Sequence, residues 1–294
     1  MQVFFYRRQK TLYNNGNYCT ILLHLQEGDI EVEVQWIGTA TLLIKSGKDV
    51  ILIDPYNQPY NKFFRRITNK ELKGVKAIFI THPHLDHFDR TDRFSKQAGG
   101  VPIYVNSRGI KTAKIHHWDT KNMYEIIVGD EIEVGNLKVR VHQGLHCNLD
   151  PMLLFTFLHR LLIPKNLFRA IKIGIELKLT YKIDTLDIFS FEVTDGEKTV
   201  YLMGSANIYQ PDPRPDNIDM LIYPFQGLRL SNMFQHSLDI MGYFSTKKIL
   251  FDHWDNAFPP VTTTMELDKF MPFVEEAYPD TQFISPCRGE WYKV

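Results

Sequence analysis

The sequence predicts an α/β protein, with β-sheets carrying helices on their outer faces in a single main domain over residues 31–294. Three observations carry this expectation. Strand-like and helix-like apolar patterns interleave along the chain. A continuously apolar strand runs straight into a histidine-rich segment, and no linker or composition break divides the sequence beyond residue 30.

With 294 residues, 44% of them hydrophobic and 20 of them Phe, the chain has ample material for a large core, which excludes intrinsic disorder. Lys plus Arg and Asp plus Glu each number 34, so the formal net charge is zero and no nucleic-acid partner is expected. Cys19, Cys147 and Cys287 lie far apart and form no CxxC. Neither a disulfide framework nor a thiolate zinc site is therefore expected, and a reducing compartment is the natural reading. Basic residues follow the short apolar patch of MQVFFYRRQK, and ILLHL at 21–25 is too brief for a signal core. The longest apolar-rich stretch, Met152 to Ile163, is broken by His159 and Arg160, ends at Pro164 and is too short to span a bilayer. The expected location is the cytoplasm, with no transmembrane segment and with a homo-oligomer left open.

Residues 1–30 show no clear period and hold the cluster TLYNNGNY. They read as an N-terminal extension, either an added strand and loop or a poorly ordered leader. From Ile30, IEVEVQW alternates, ATLLIKS follows a Gly-Thr turn and DVILID follows Gly47, giving three strands in meander order. KAIFIT at 76–81 is a short buried strand. Helical patterns at about 89–98 and 107–114 precede strands around 122–142. IKIGIELKLTYKID at 171–184 has apolar residues at every odd position from Ile171 to Ile183 and predicts a strand. Asp195-Gly196 turns the chain into TVYLM, followed by DMLIYP, a helix at about 234–245 and the strand KKILFD. The last helix is expected to open with a capping box, Thr263-x-x-Glu266, and to bury Leu267, Phe270, Met271 and Val274.

The chemistry concentrates in THPHLDHFD at 81–89, which holds His82, His84, Asp86 and His87 within six residues. In an extended loop, residues two apart face the same way, so His82 and His84 can bind one cation while Asp86 and His87, a turn further on, face a neighbouring one. Neutral imidazole and carboxylate suit zinc, manganese or iron. A chance cluster of surface histidines is the rival reading, and four ligand-type residues directly after a buried strand weigh against it.

With these residues the sequence resembles the metallo-β-lactamase superfamily, whose signature is HxHxDH after a buried strand. The likeness runs from about Val32 to the end. WIGTATLLI and VILIDPY resemble the family's opening hairpin, and KVRVHQGLH at 138–146 the segment supplying the next His. VYLMGS resembles the strand before a bridging Asp, and ILFDHWDNAFPP the segment with the final His. Within the superfamily the chain is similar to the ascorbate-6-phosphate lactonase-like group and, more loosely, to N-acyl-phosphatidylethanolamine phospholipase D. The resemblance implies an αββα four-layer sandwich of two mixed sheets with helices outside, and an insertion at about 151–183. It places His82, His84 and His146 around a first metal and Asp86, His87 and His253 around a second. His142 is a rival to His146, but it lies within the alternating strand, whereas His146 sits in the loop beyond. Asp54 looks like the carboxylate that orients a ligand His, its plainer role being a turn residue before Pro55. Asp255 reads equally as such a carboxylate or as a loop cap. One departure matters: Ser205 stands where the family usually has a bridging Asp, so a weak or empty second site is a live alternative.

The implied cofactor is one or two divalent metal ions, zinc first, with manganese or iron as alternatives. The implied activity is hydrolysis of a phosphodiester, lactone or related ester by hydroxide that the metal makes available near neutral pH, with Asp86 positioning it and managing its proton. The 151–183 segment pairs MLLFTFLHRLLI with Lys172, Lys178 and Lys182 on one strand face. It reads either as a lid for an amphiphilic substrate or as core or dimer packing. Competing classes are a mononuclear iron dioxygenase on the same fold and a non-catalytic metal-binding protein. His116 and His117 read as solvated, His24, His159 and His236 as packed or surface residues, and Cys147 as a small packing residue.

Overall fold

The computed structural model describes residues 31–57, 66–147, 163–164, 166–168, 170–171, 175, 187–210, 215–226, 232–257 and 262–294, and the backbone of 9–14 and 17–22. Strands β1 (Gln9–Asn14) and β2 (Asn17–Leu22) pair with each other as a separate antiparallel ribbon, so the N-terminal extension holds two strands. The meander follows as β3 (Val32–Gly38), β4 (Thr41–Ser46) and β5 (Asp49–Ile53). Next come α1 (Asn69–Leu72), β6 (Val75–Phe79), α2 (Thr91–Gln97), β7 (Ile103–Val105), α3 (Ser107–Ile115) and β8 (Met123–Glu125). The second half contributes β9 (Glu131–Val134), β10 (Leu137–Gln143), β11 (Phe189–Thr194), β12 (Thr199–Leu202) and β13 (Ile218–Pro224). It ends with α4 (Met233–Met241), β14 (Thr246–Asp252), α5 (Leu267–Ala277), β15 (Gln282–Ile284) and β16 (Trp291–Lys293).

Two seven-stranded mixed sheets result, ordered β16-β3-β4-β5-β6-β7-β8 and β15-β14-β13-β12-β11-β10-β9. Their inner faces share one core, in which Trp36, Ile44, Ile51, Ile53 and Phe79 of the first sheet join Val141, Phe191, Val200 and Ile222 of the second. On the outer face of the first sheet, Leu43, Leu52, Ile78 and Ile80 pack with Leu72 of α1, Phe94 of α2 and Ala113 of α3. Strand β5 is thus buried on both faces, which explains its unbroken apolar run. On the second sheet Phe270 of α5 stacks on Phe225, with centroids 4.5 Å apart, and Val274 joins it in the core. The layers are helix, sheet, sheet, helix, as the sequence predicts. No helix among the described residues is long and apolar enough to cross a membrane.

Several local expectations are corrected. Ile171 and Ile175 are helical, not part of a strand, while the remainder of 171–184 lies outside the described residues. Apolar residues at every second position also recur at every fourth, so this pattern satisfies a helical face as well. Thr263 and Glu266 form no capping box: Glu266 is itself the N-cap of α5 and makes no side-chain cap bond. The capping box lies at Thr68 and Glu71, at the start of α1. Met271 is only partly buried, packed against the core. Cys147 is free and buried, in keeping with a packing role, but Cys287 is disulfide-bonded, against the reducing compartment read from the sequence. His24 and His159 lie outside the described residues.

Candidate metal centre

The site forms where strands of both sheets end. Strand β6 delivers Thr81 and His82, and the chain then turns back on itself, with the His87 and Phe88 amides donating to the His84 carbonyl at 3.0 and 2.8 Å. That turn separates the motif into two directions. His82 and His84 join His146, from the loop after β10, and Asp86 and His87 join His253, from the end of β14; within each trio the ligand atoms all lie within 4.8 Å of one another. The trios adjoin, since the His82 and His87 rings are 3.9 Å apart. They open on a cleft of about 240 Å³, including open solvent, also lined by Gly204, Ser205, Pro224 and Gln226. All six residues named from the sequence as ligands are brought together.

The orienting contacts are specific. His146 Nδ1 bonds the Cys147 carbonyl at 2.8 Å, which makes Nδ1 the protonated nitrogen and presents Nε2 to the cleft, 3.2 Å from His84 Nδ1. His87 Nδ1 meets Asp54 Oδ2 at 2.7 Å, leaving Nε2 to face Asp86. Asp54 is fixed in turn by the Thr81 amide at 2.8 Å and the Thr81 hydroxyl at 2.6 Å. Asp54 therefore orients a ligand ring and also shapes the turn, with φ of 44°.

His253 Nε2 lies 3.1 Å from Asp86 Oδ2, yet neither ring nitrogen of this buried histidine has hydrogen-bond geometry to any described partner. A buried imidazole without a hydrogen bond is costly unless something else takes its lone pair, and a cation shared with Asp86 would do so. Burial works against ionisation of Asp86, but the surrounding His87, His253 and His84 outweigh it and hold its carboxyl well below the usual range. The donor set of five imidazoles and one ionised carboxylate fits zinc, manganese or iron.

Asp255 fixes the turn at Thr39. Its Oδ2 accepts from the Thr39 amide at 3.0 Å and the Thr39 hydroxyl at 3.3 Å, and the Thr39 carbonyl accepts the His253 amide at 2.9 Å. Both Thr39 (φ 50°) and His253 (φ 59°) adopt left-handed backbone. On the same β3–β4 turn, the Thr41 hydroxyl donates to the Asp54 carbonyl at 2.8 Å and accepts the Tyr56 amide at 2.9 Å. The Gly38-to-Thr41 turn thus braces the two left-handed residues behind the second trio. Thr39, Thr41 and Thr81 were not singled out from the sequence. Their only signal is that hydroxyl residues sit at the ends of strands that converge on the site.

Ser205 occupies the cleft at the expected place, and its Oγ accepts the Cys147 amide at 3.2 Å. The hydroxyl therefore also anchors the backbone beside His146. Gly204 is required by crowding, since a Cβ there would stand 2.0 Å from the Phe189 carbonyl oxygen. His142 is excluded from the site: its Nε2 bonds Glu192 at 2.8 Å and its ring packs edge-on against Tyr201. His236 bonds the Ala206 carbonyl, His116 stacks on Trp118, and His117 is exposed.

Comparison with known proteins agrees with this geometry. The chain is 31% identical over 122 residues to a UPF0173 metal-dependent hydrolase of Rhizobium etli, covering 39% of this chain and 48% of that protein. The chain spans about half the length of the curated relatives it matches. Similar folds occur in Igni18, a metallo hydrolase of Ignicoccus hospitalis, with TM-score 0.59, 14% identity, and 90% and 98% of the two chains covered. YhfI of Bacillus subtilis gives TM-score 0.60 and 15% identity, with 90% of this chain and 100% of that chain covered. The model of the metallo-beta-lactamase superfamily matches residues 34–238, and the chain belongs to that superfamily.

Proposed function

We propose that the protein is a metal-dependent hydrolase acting on a phosphodiester, lactone or related ester with an apolar portion. The observation that carries this reading is the convergence of two donor trios at one open cleft. A divalent cation held there, zinc first and manganese or iron as alternatives, supplies Lewis acidity and makes hydroxide available near neutral pH. The chain's own residues do the rest. Asp86, ionised and facing the cleft, accepts a hydrogen bond from the attacking water and positions it, and Asp54 and the Cys147 carbonyl fix the rings of His87 and His146. Ser205 lines the cleft with a neutral hydroxyl and adds no negative charge.

The substrate class rests on the likeness to the lactonase-like and phospholipase D-like groups. The apolar portion is supported by Leu167 and Phe168, which expose their side chains within the 151–183 stretch. The cytoplasm stays the proposed location, and the Cys287 disulfide is the observation that counts against it.

The test is to strip the protein with chelator, restore zinc, manganese or iron, and assay phosphodiesters, lactones and short- and long-chain esters beside an oxygen electrode. Metal-restored hydrolysis without oxygen consumption, faster for the longer chains, is expected. Oxygen uptake coupled to turnover would establish an oxidoreductase instead.

A further inference from the structure

We propose that Gln226 contacts the substrate, its side-chain amide donating a hydrogen bond to the carbonyl or phosphoryl oxygen of the ester under attack. Gln226 is the second residue after β13 and lines the same cleft as the two trios. The chain just before it is held firmly. Pro224 stands opposite Asp252 in the register of β13 and β14, so the chain leaves the sheet beside His253. Phe225, fully buried, donates its amide to the Asp252 carbonyl at 2.9 Å and stacks on Phe270 with centroids 4.5 Å apart. With that residue fixed, the half-buried Gln226 side chain is delivered to the cleft in advance of any ligand.

The chemistry of the amide selects its partner. Ser205, the other polar side chain that lines the cleft outside the trios, is already engaged by the Cys147 amide at 3.2 Å. The Gln226 amide makes no hydrogen bond among the described residues, and a half-buried amide in that state forfeits part of its hydration. Its oxygen is a weak ligand beside five imidazoles and the Asp86 carboxylate, and its NH2 group cannot coordinate a cation at all. What it offers the cleft is therefore a neutral donor. The oxygen of a carbonyl or phosphoryl group gains negative charge as it is attacked, so a donor fixed beside it binds the transition state more strongly than the ground state. The inference rests on the hydrolase reading and adds a residue that touches substrate to it.

The experiment compares metal-restored wild type with Gln226→Met, which keeps the length of the side chain and removes its donor, and with Gln226→Ala. The substrate is whichever of p-nitrophenyl butyrate, bis(p-nitrophenyl) phosphate or γ-butyrolactone wild type turns over. In both variants kcat is expected to fall about 100-fold with KM changed by less than about three-fold, while metal content and circular dichroism match wild type. Phenylphosphonate, which presents anionic oxygens on a tetrahedral centre, should inhibit Gln226→Met about tenfold more weakly than wild type. A Gln226→Met variant with wild-type kcat, or with wild-type sensitivity to the phosphonate, overturns the contact and leaves the hydrolase reading standing. Loss of metal in step with activity also overturns it, since Gln226 would then act on the metal centre and not on substrate. Wild-type protein that hydrolyses none of the three substrates after metal restoration overturns the hydrolase reading and this contact with it.

Discussion

Replacing Asp255 by Ala removes the carboxylate that fixes the Thr39 turn, and it should selectively damage one half of the metal centre. Thr39 is fully buried, and its amide loses its 3.0 Å acceptor. A buried N–H left without a partner costs about 1–3 kcal/mol. The left-handed backbone at Thr39 and His253 is itself unfavourable by about 1–3 kcal/mol each and persists only while its surroundings impose it. The Thr39 carbonyl keeps the Trp36 indole N–H at 2.8 Å, but with its amide and hydroxyl released the turn that fixes the His253 amide loosens and the His253 imidazole drifts from Asp86. The expected result is a stability loss of about 2–3 kcal/mol for the metal-free protein in urea unfolding. Affinity at the trio of Asp86, His87 and His253 should fall about 10–100-fold in competition with a chelator of known strength. The trio of His82, His84 and His146 lies on the β6 motif and the loop after β10, with His146 oriented by the Cys147 carbonyl, and should keep its affinity. Asp255→Asn, which retains an acceptor for the Thr39 amide, should show a smaller loss on both measures. Equal weakening of both trios, or no change at either, would refute the reasoning.

Four further outcomes are expected. Gly204→Ala places a Cβ against the Phe189 carbonyl, a backbone atom that cannot swing aside, so thermal unfolding should show a loss of at least about 1–3 kcal/mol; an unchanged midpoint would contradict the packing. Glu192 is held below the usual range chiefly by its hydrogen bond from His142, with burial opposing. Its contribution is present above the unfolded pKa of about 4.3 and is lost as pH falls through the lower folded value, so wild type should lose stability over that window more steeply than Glu192→Gln. Thiol titration of denatured, unreduced protein should detect one of the three cysteines, because Cys147 is free and Cys287 is bonded; three reactive thiols would restore the reduced reading. Ser205→Asp should bring the two metal affinities closer together, since a shared carboxylate offsets repulsion between adjacent dications, and two equally tight wild-type sites would remove the basis for this.

The ligand set was legible in the sequence because it is local and chemical. Four of its members lie within six residues, and the meander, the buried strand β6 and the strands ending near His146 and His253 announce themselves by alternation or by unbroken apolar runs. The bracing around that set was not legible. Thr39 and Asp255 are 216 positions apart and meet only because β3 and β14, in different sheets, end at the same rim. Short strands such as β15 and β16 carry too few residues for a period to show. The stretch from Ile171 was misread because alternation and a four-residue repeat coincide there. Thr263 and Glu266 failed as a capping box because the pattern is necessary for that motif without being sufficient: the helix begins one residue after Glu266.

The central claim is that two separate trios each hold a cation, and metal stoichiometry by elemental analysis during chelator titration tests it most directly. Wild-type protein is expected to bind two divalent ions with unequal affinity. His84→Ala should lose the ion held by His82, His84 and His146 together with hydrolysis, and His253→Ala should lose the other ion. His116→Ala, whose imidazole stacks on Trp118 away from both trios, should match wild type. If His84→Ala binds metal as fully and as tightly as wild type and His116→Ala, the assignment of the centre is wrong.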